Sequence, residues 1–263
     1  MRSDAPALGA ADLMWPQWDA DARVGAVMST RAGGVSTAPW DRLNLGVAVG
    51  DDAAAVAENR RRFTAQIGAR PLWLRQVHGC RVLRAGAACL DAEAPQADAA
   101  WTDEPGIACT VQVADCLPVL LAAPAGRAVA AAHAGWRGLA GGVLEATLQA
   151  VCDAASCAPA ELAVWLGPSI GPRQFEVGAD VLRAFGQDPQ SADPRRFVAR
   201  RAADGSLRWL ADLPSLARER LAGFGVSRVS GGAWCTVEDR SRFFSYRRDA
   251  VTGRMAAAVW LRA

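Results

Sequence analysis

The chain has 263 residues, of which 51% are hydrophobic, and its 29 Lys and Arg nearly balance its 27 Asp and Glu. A chain of this length can bury a substantial core within one domain. No dense basic run is present, and a net charge of +2 argues against electrostatic binding of nucleic acid. No uninterrupted apolar stretch could cross a membrane, and the first residues lack the apolar segment of a signal peptide. We expect a soluble, cytoplasmic protein, either a monomer or a homodimer, with no nucleic-acid or membrane partner.

Cysteine and histidine usage bounds the chemistry that the chain can perform. Seven cysteines are spread along it, an odd number that fits reduced thiols better than a disulfide framework. Most of them are expected to fill the core as small hydrophobic residues. The chain has just two histidines, so any imidazole chemistry must use His78, His133 or both.

Hydrophobic spacing and end signals predict strands that alternate with helices. Asp52 can cap a helix that Gly68 would end, because Val56, Phe63 and Ile67 follow helical spacing between them. The predicted elements are a helix over 52–68, strands over 109–122 and 127–133, a helix over 139–153, a strand over 161–166, a helix over 213–224, and strands over 226–230 and 255–261. This order favours an α/β fold in which helices pack on a mixed sheet. We expect one domain over 1–263, with residues 1–22 as a loosely ordered extension.

Three residues that can bind a metal lie where predicted strands end or break: His78, Cys116 and His133. A glycine or proline follows each of them within two positions. Polar functional groups gather at such strand ends in α/β proteins. Two imidazoles and one thiolate would leave a fourth position open, as in catalytic zinc sites. The alternative is structural, since a histidine in an apolar run is commonly a hydrogen-bonded core residue and a strand cysteine is commonly core filler.

Four further polar residues are candidates for substrate binding: Arg31, Asn44, Gln76 and Arg137. Arg31 follows an apolar strand and precedes paired glycines, so it either binds a phosphate or carboxylate or belongs to a plain turn. Asn44 begins an Asn-Leu-Gly turn, and Gln76 lies two residues before His78. Arg137 either reaches the opening of the metal site as an anion ligand or stacks on the Trp136 indole.

Short motifs follow one another in a fixed order from Ser29 to the end of the chain. They read STRAGGVS, NLG, RQVHG, ADCLPVLL, AAHAGWRG, LGPSIGP and CT…FFSYRRD…TGRMAAAVWL. The ordered series resembles the YfiH-like laccase-domain family. The resemblance implies a single three-layer α/β/α domain with a mixed sheet and a metal site whose ligands would be His78, Cys116 and His133. One departure is the segment over 171–178, where many members read GPCCYEVG.

The resemblance implies several activities. Members of the family are described as copper-dependent polyphenol oxidases, as phosphorylases of adenosine, inosine and methylthioadenosine that also deaminate adenosine, and as peptidoglycan editing factors. A multicopper oxidase needs an electron-entry copper and a trinuclear cluster, and the two histidines of this chain cannot supply the ligands of both. We therefore favour a metal-dependent purine nucleoside phosphorylase whose substrates are a purine nucleoside and phosphate. Zinc is the expected metal, with copper as the alternative.

Phosphorolysis requires an anion site and a general acid or base. Arg31, Arg137 and the glycine-containing turn over 133–142 are candidates for the anion site. The open candidates for the proton transfer are Asp115, Glu145 and Glu176. Of these, Asp115 is the neighbour of Cys116 in sequence. In a regular strand Asp115 would point away from the thiol, so supporting the site or capping a helix is its other expected role.

Three alternative functions stay open on the sequence. In a metal-free hydrolase, His133 would lower the pKa of the Cys116 thiol, which would attack an acyl carbon of a peptidoglycan precursor. A copper-dependent polyphenol oxidase would oxidise phenols. A non-enzymatic module would bind copper or zinc and pass it to a partner.

Overall fold

The computed structural model describes residues 8–90, 92–202 and 204–263. Its strands are β1 (Leu13–Met14), β2 (Val24–Ser29), β3 (Arg70–Leu72), β4 (Val82–Arg84), β5 (Ala99–Thr102), β6 (Ile107–Val113), β7 (Leu117–Ala122), β8 (Val129–Ala134), β9 (Ala163–Leu166), β10 (Glu176–Val177), β11 (Phe197–Arg201), β12 (Leu207–Ala211), β13 (Arg228–Gly231) and β14 (Met255–Leu261). Its α-helices are α1 (Ala53–Ile67), α2 (Ala87–Leu90), α3 (Trp136–Gly141), α4 (Val143–Ala155), α5 (Ala179–Ala184), α6 (Leu213–Gly223) and α7 (Tyr246–Asp249).

The strands pair in separate sheets. Within the described ranges, the first sheet has the order β1-β2-β14-β6-β3 and the second has the order β13-β9-β7-β8-β5-β4. Both are mixed, because β3 joins β6 and β4 joins β5 in parallel, whereas β14 and β8 pair with their neighbours antiparallel. A smaller antiparallel sheet has the order β10-β12-β11. The predicted α/β class with mixed pairing is confirmed.

The layering differs from the single mixed sheet between helices that was expected. The two larger sheets stack face to face, and side chains such as Val111, Leu120, Ala131 and Val259 fill the space between them. Helix α1 covers the outer face of the first sheet with Phe63. Helices α4 and α6 cover the outer face of the second sheet. Because the central strands of both sheets are apolar on both faces, each sheet buries one face against helices and the other against its neighbour.

Helix α1 begins and ends where the sequence predicts. The side chain of Asp52 accepts a hydrogen bond from the backbone N–H of Ala54, which satisfies one of the free donors of the first turn. Gly68 ends the helix in the left-handed conformation at φ 65°. Val56, Phe63 and Ile67 lie on its buried face. The predictions over 213–224 and 255–261 are likewise confirmed by α6 and β14.

The predicted strand over 109–122 is wrong as a single element. The chain leaves β6 after Val113, turns at Ala114–Cys116 and enters β7, which belongs to the other large sheet. Asp115 adopts φ 91°, a left-handed conformation that no strand can continue through. Both strands are buried and largely apolar on either side of this turn, so the spacing of the apolar residues does not separate them.

The predicted helix over 139–153 is also two elements. Helix α3 ends and α4 begins at Gly142, whose φ of 101° breaks the helical backbone. Leu144, Leu148 and Val151 lie on the buried face of α4, as their spacing predicts. A glycine within a helical pattern can be tolerated or can end the helix, and here it does the latter.

The N-terminal stretch over 1–22 lies partly outside the described residues, which begin at Leu8. Within the described part, β1 pairs antiparallel with β2 and Leu8 and Leu13 are buried. In the ranges that the structure describes, no helix has both the length and the apolar character required to span a bilayer.

Candidate metal centre

The structure brings the three predicted ligand residues together. His78 lies in the loop between β3 and β4, Cys116 in the turn before β7, and His133 in β8. Pairing of β7 with β8 sets Pro118 opposite His133, so Cys116 comes close to that imidazole. The potential ligand atoms of the three residues all lie within 4.8 Å of one another, and Cys116 Sγ is 3.8 Å from His78 Nε2. Residues distant in sequence thus form one compact cluster.

Asp98, which the sequence analysis did not single out, supports both histidines. Its buried carboxylate accepts a hydrogen bond from His133 Nδ1 at 2.9 Å and from the backbone N–H of His78 at 2.8 Å. It also accepts from the backbone N–H of Gly79 at 2.7 Å. Because Nδ1 of His133 is engaged with a carboxylate, Nε2 is the ring nitrogen left for a metal. Asp98 therefore fixes the tautomer of one ligand and the backbone of the other.

The charge state of Asp98 follows from these contacts. Burial opposes ionisation, but the hydrogen bonds from His133 and from the backbone of Gly79 and Val77 outweigh it and lower the pKa of the carboxyl. The carboxylate is thus ionised at neutral pH. An ionised Asp98 makes the imidazole of His133 a more basic ligand.

His78 is held in a backbone conformation that few non-glycine residues adopt. Its φ is 61°, in the left-handed region. The bonds from its own N–H and that of Gly79 to Asp98 hold the loop in place. Gln76 adds a second clamp, because its side-chain amide bonds both the N–H and the C=O of Gln112 at the end of β6. Strained backbone of this kind is typical of functional loops.

Asp115 holds the turn that carries Cys116. Its carboxylate accepts hydrogen bonds from the Thr236 hydroxyl at 2.5 Å and from the backbone N–H of Arg247 at 2.6 Å, in the first turn of α7. Its backbone C=O accepts from the N–H of Ile170 at 2.9 Å. Asp115 thus accepts from one free backbone donor at the start of α7, whose N-cap is Ser245. The left-handed conformation of this residue is stabilised by contacts from three separate segments.

The electrostatics of the cluster favour a thiolate at Cys116. Burial alone would raise the pKa of this thiol, but the charges and hydrogen bonds of His133 and His78 outweigh burial and lower the pKa to about 6. Burial likewise opposes protonation of His133, but the Cys116 thiolate and Asp98 raise its pKa. The metal-free cluster is therefore a thiolate–imidazolium pair. The thiolate is the form that binds a metal or acts as a nucleophile.

Because Gly135 has no side chain, it leaves room for the side chains of the cluster. A Cβ at this position would lie 2.8 Å from Cys116 Sγ and 3.1 Å from His78 Cδ2. The backbone of Gly135, at φ −62° and ψ 159°, is accessible to any residue. The glycine is therefore required by the room around the sulfur and imidazole rather than by its conformational freedom.

The donor set fits a metal ion. One thiolate and two imidazoles are ligands that zinc and copper both accept. His133 is buried, Cys116 is half-buried and His78 is exposed, so the cluster opens toward solvent on the His78 side. Three protein ligands with an accessible side form the arrangement of catalytic zinc sites.

The structure gives Arg31 and Asn44 roles in holding loops. Arg31 donates from Nε to the backbone C=O of Asp41, from Nη1 to that of Arg240 and from Nη2 to the Asp41 carboxylate. Asn44 is fully buried, and its side chain bonds the backbone of Gly46 and Arg254. Both are engaged with protein groups, and their role in substrate binding stays a prediction.

Arg137 lies on the helix that follows His133. Its guanidinium stacks over the Trp136 ring at 4.3 Å from the ring centre, the structural arrangement that the sequence left open, and the residue is exposed. Of the proton-transfer candidates, Glu145 pairs with Arg220 and Glu176 with Arg200. Asp115 is the candidate that adjoins a ligand of the cluster.

Comparison with known proteins assigns the family. Residues 25–262 match the family described as multi-copper polyphenol oxidoreductase laccase. The chain belongs to this family. It is 52% identical over 246 residues to a purine nucleoside phosphorylase of Pseudomonas aeruginosa, covering 94% of this chain and 97% of that protein. It is 46% identical over 254 residues to the purine nucleoside phosphorylase YfiH of Escherichia coli, covering 95% of this chain and 98% of that one.

A solved structure is similar to this chain in both fold and sequence. The crystal structure of protein NMB0706 of Neisseria meningitidis is similar to this chain with a TM-score of 0.87 and 45% sequence identity, covering 96% of this chain and all of that one. The resemblance to YfiH-like proteins noted from the motifs is confirmed by these relatives.

Proposed function

We propose that the protein is a metal-dependent purine nucleoside phosphorylase that cleaves adenosine, inosine and methylthioadenosine with phosphate. The observation that carries the proposal is the compact cluster of His78, Cys116 and His133 in a chain whose relatives at 52% and 46% identity are named purine nucleoside phosphorylases. Adenosine deamination is proposed as a second activity of the same site.

Zinc is the metal that we propose for the cluster, with copper as the alternative. Zinc bound by two imidazoles and a thiolate would supply Lewis acidity to an electronegative substrate atom. The buried Asp98 orients His133 for this role, and the lowered pKa of Cys116 keeps the sulfur anionic at neutral pH. The description of the matched family, which names copper, supports the alternative metal.

The reaction sets three requirements for the residues around the cluster. The N-glycosidic bond breaks with its electron pair on the purine, a phosphate oxygen bonds to C1′ of the ribose, and the departing base gains a proton. The open side at His78 gives a nucleoside access to the cluster. Asp115 lies next to Cys116 but already accepts two hydrogen bonds, which supports a positioning role over proton transfer.

Two other activities have specific support. The thiolate–imidazolium pair of Cys116 and His133 is the activated nucleophile that a metal-free cysteine hydrolase would use. The family description favours a polyphenol oxidase. However, the two histidines of the chain both belong to one cluster, which leaves no imidazole for a second copper site.

The deciding experiment uses protein whose metal content has been measured. Adenosine is incubated with and without phosphate, and adenine, inosine and ribose 1-phosphate are quantified. We expect adenine and ribose 1-phosphate to appear only with phosphate and to disappear after treatment with a chelator. A hydrolase would stay active in chelator and be trapped covalently at Cys116 by an acylating agent. Oxygen consumption with a phenol, without any nucleoside cleavage, would contradict the proposal in favour of an oxidase.

The proposal includes the remaining properties expected from the sequence. We propose a single domain over 1–263, a cytoplasmic location and a monomer or homodimer. Size-exclusion chromatography with light scattering tests the oligomeric state, and fractionation of the native cell tests the location.

A further inference from the structure

Arg254 lies beside the metal centre. Antiparallel pairing sets Met255 of β14 opposite Val113 of β6, so the residue before β14 lies next to the turn that contains Cys116. The charge of Arg254 interacts with those of Cys116 and Asp115. In the sequence, Arg254 belongs to the TGRM motif that leads into β14.

Several contacts fix the position of Arg254. Its backbone N–H donates to Asn44 Oδ1 at 2.8 Å, and its Nη1 donates to the backbone C=O of Thr252 and Gly253, both at 3.1 Å. Gly46 makes room for the side chain, since a Cβ there would lie 2.7 Å from Arg254 Cγ. The turn that begins at Asn44 therefore serves to place this arginine.

Among the described residues, no carboxylate forms a direct ion pair with Arg254, and the charges of Asp115 and Cys116 act on it without a direct hydrogen bond. By contrast, Arg31, Arg220 and Arg248 each pair with a carboxylate. Arg254 is half-buried, and burial lowers its pKa. A partly buried guanidinium is costly to leave without an anion hydrogen-bonded to it. Its Nε and Nη2 also have no acceptor among the described residues, so part of the planar donor fork is available to a ligand.

The other arginines considered for an anion site are less suited to it. Each of the nitrogens Nε, Nη1 and Nη2 of Arg31 already donates to a protein oxygen. Arg137 is exposed and stacked on Trp136, where solvent screens its charge. Arg254 combines partial burial, available donors and proximity to the centre.

We propose that Arg254 binds the phosphate co-substrate beside the metal centre. This inference rests on the proposed phosphorolysis for its biological meaning. Its physical content, however, is an anion site that can be measured without turnover. Guanidinium binds phosphate through paired, charge-assisted hydrogen bonds, which an ammonium group reproduces only in part.

The test compares the metal-loaded wild-type protein with Arg254→Gln and Arg254→Lys. Binding of inorganic phosphate is measured by isothermal titration calorimetry, and the KM values for phosphate and adenosine are measured separately. We expect Arg254→Gln to weaken phosphate binding and to raise the KM for phosphate about tenfold to a hundredfold, the range for a lost charge-assisted hydrogen bond. The KM for adenosine should change little. Arg254→Lys should give a smaller effect in the same direction.

Matched variants separate this effect from general damage. Arg173→Gln removes an exposed arginine that pairs with Glu238 and should leave the phosphate parameters at the wild-type values. Metal content and melting temperature check that each variant is folded. If Arg254→Gln fails to fold, Arg254→Lys carries the test, and an unchanged affinity for phosphate in that variant overturns the proposal.

The outcomes distinguish this inference from the proposed function. A phosphate affinity that is unchanged in Arg254→Gln, or that falls only in Arg137→Gln, overturns the assignment of Arg254 and leaves phosphorolysis standing. Absence of phosphate binding to the wild-type protein also overturns it. Phosphate binding that depends on Arg254, without any release of base from nucleosides, would support the anion site and contradict the proposed function.

Discussion

His133 Nδ1 and Asp98 Oδ1 are 2.9 Å apart, and this contact links a residue of the candidate metal centre to the backbone of the His78 loop. A single carboxylate thereby orients the imidazole of His133 and holds the backbone of His78. The hydrogen bond connects residues 35 positions apart in the chain. The metal affinity of the cluster should depend on this residue, although it is not itself one of the three ligands.

Asp98→Asn should lower zinc affinity about tenfold to a hundredfold, the usual cost of removing the partner of a metal-bound histidine. An amide keeps the size of the side chain but loses the negative charge that supports His133. Competition with a chromophoric chelator measures the affinity. The control, Asp180→Asn, replaces an exposed aspartate and should bind zinc as the wild type does. Equal affinity in the two variants would show that Asp98 only holds the loop.

Replacing His78, Cys116 or His133 with alanine should in each case remove bound metal and abolish turnover while the fold persists. The open site has only three protein ligands, and the two that remain after one substitution are too few to hold the metal ion. Elemental analysis and an assay of base release check this. Cys152→Ala is the matched thiol control and should cost only packing, about 1 kcal/mol, with full metal content. A Cys116→Ala protein with normal metal and activity would rule out the cluster as the centre.

The metal-free protein should show unusual thiol reactivity at Cys116. Because its pKa is lowered to about 6, the thiolate predominates at neutral pH, and alkylation by iodoacetamide should rise to a plateau as pH increases through about 6. Below that pH the thiol is protonated and reacts slowly. Cys157, whose pKa is raised by burial, is the internal reference and should react only at alkaline pH. Mass spectrometry of the digested protein gives both rates.

His133→Ala should move the Cys116 midpoint upward in the same experiment. The substitution removes the charge and hydrogen bond that favour the thiolate, and burial then dominates. A midpoint that stays near 6 would assign the low pKa to His78 alone.

Gly135→Ala should impair the cluster by steric crowding. The added methyl group would approach Cys116 Sγ to 2.8 Å, so the sulfur or the His78 ring must move. We expect zinc affinity to fall by about tenfold or more, as for other disturbances of ligand placement. Gly223→Ala is the control, because a Cβ there meets no atom within 4 Å. Equal zinc affinity in both variants would mean that the site adapts to the methyl group.

The three residues of the candidate site could be singled out from the sequence, because the two histidines and Cys116 lie where predicted strands end or break, and the structure brings them together. Asp98 could not be predicted in this way. Its function depends on hydrogen bonds to residues 20 and 35 positions away, and its local sequence, a carboxylate between alanines, carries no signal of them.

Polar residues in the motifs were harder to interpret. Gln76 and Asn44 look like substrate ligands because they lie in polar segments near glycines. In the structure their amides bond backbone groups of distant segments, at Gln112 and Arg254. An amide side chain suits both purposes equally, since it offers a donor and an acceptor to either a ligand or a peptide group.

The division of the β-structure into stacked sheets was also hidden from the sequence. An apolar strand buried between a helix and a sheet has the same composition as one buried between two helices. Asp115 interrupts the apolar residues at the crossing, but one carboxylate does not by itself identify a turn between sheets, and its contacts with Thr236 and Arg247 come from distant segments.

The crossing at Asp115 has a thermodynamic consequence for the whole molecule. His78 lies on the connection from the first large sheet to the second, Cys116 lies on the next such connection, and His133 belongs to the second sheet itself. A metal ion bound by these three residues would join both of the connections between the sheets, as a covalent crosslink does. A ligand that binds only the native state stabilises that state by mass action. The stability of the packing between the two sheets would therefore vary with the free metal concentration around the protein.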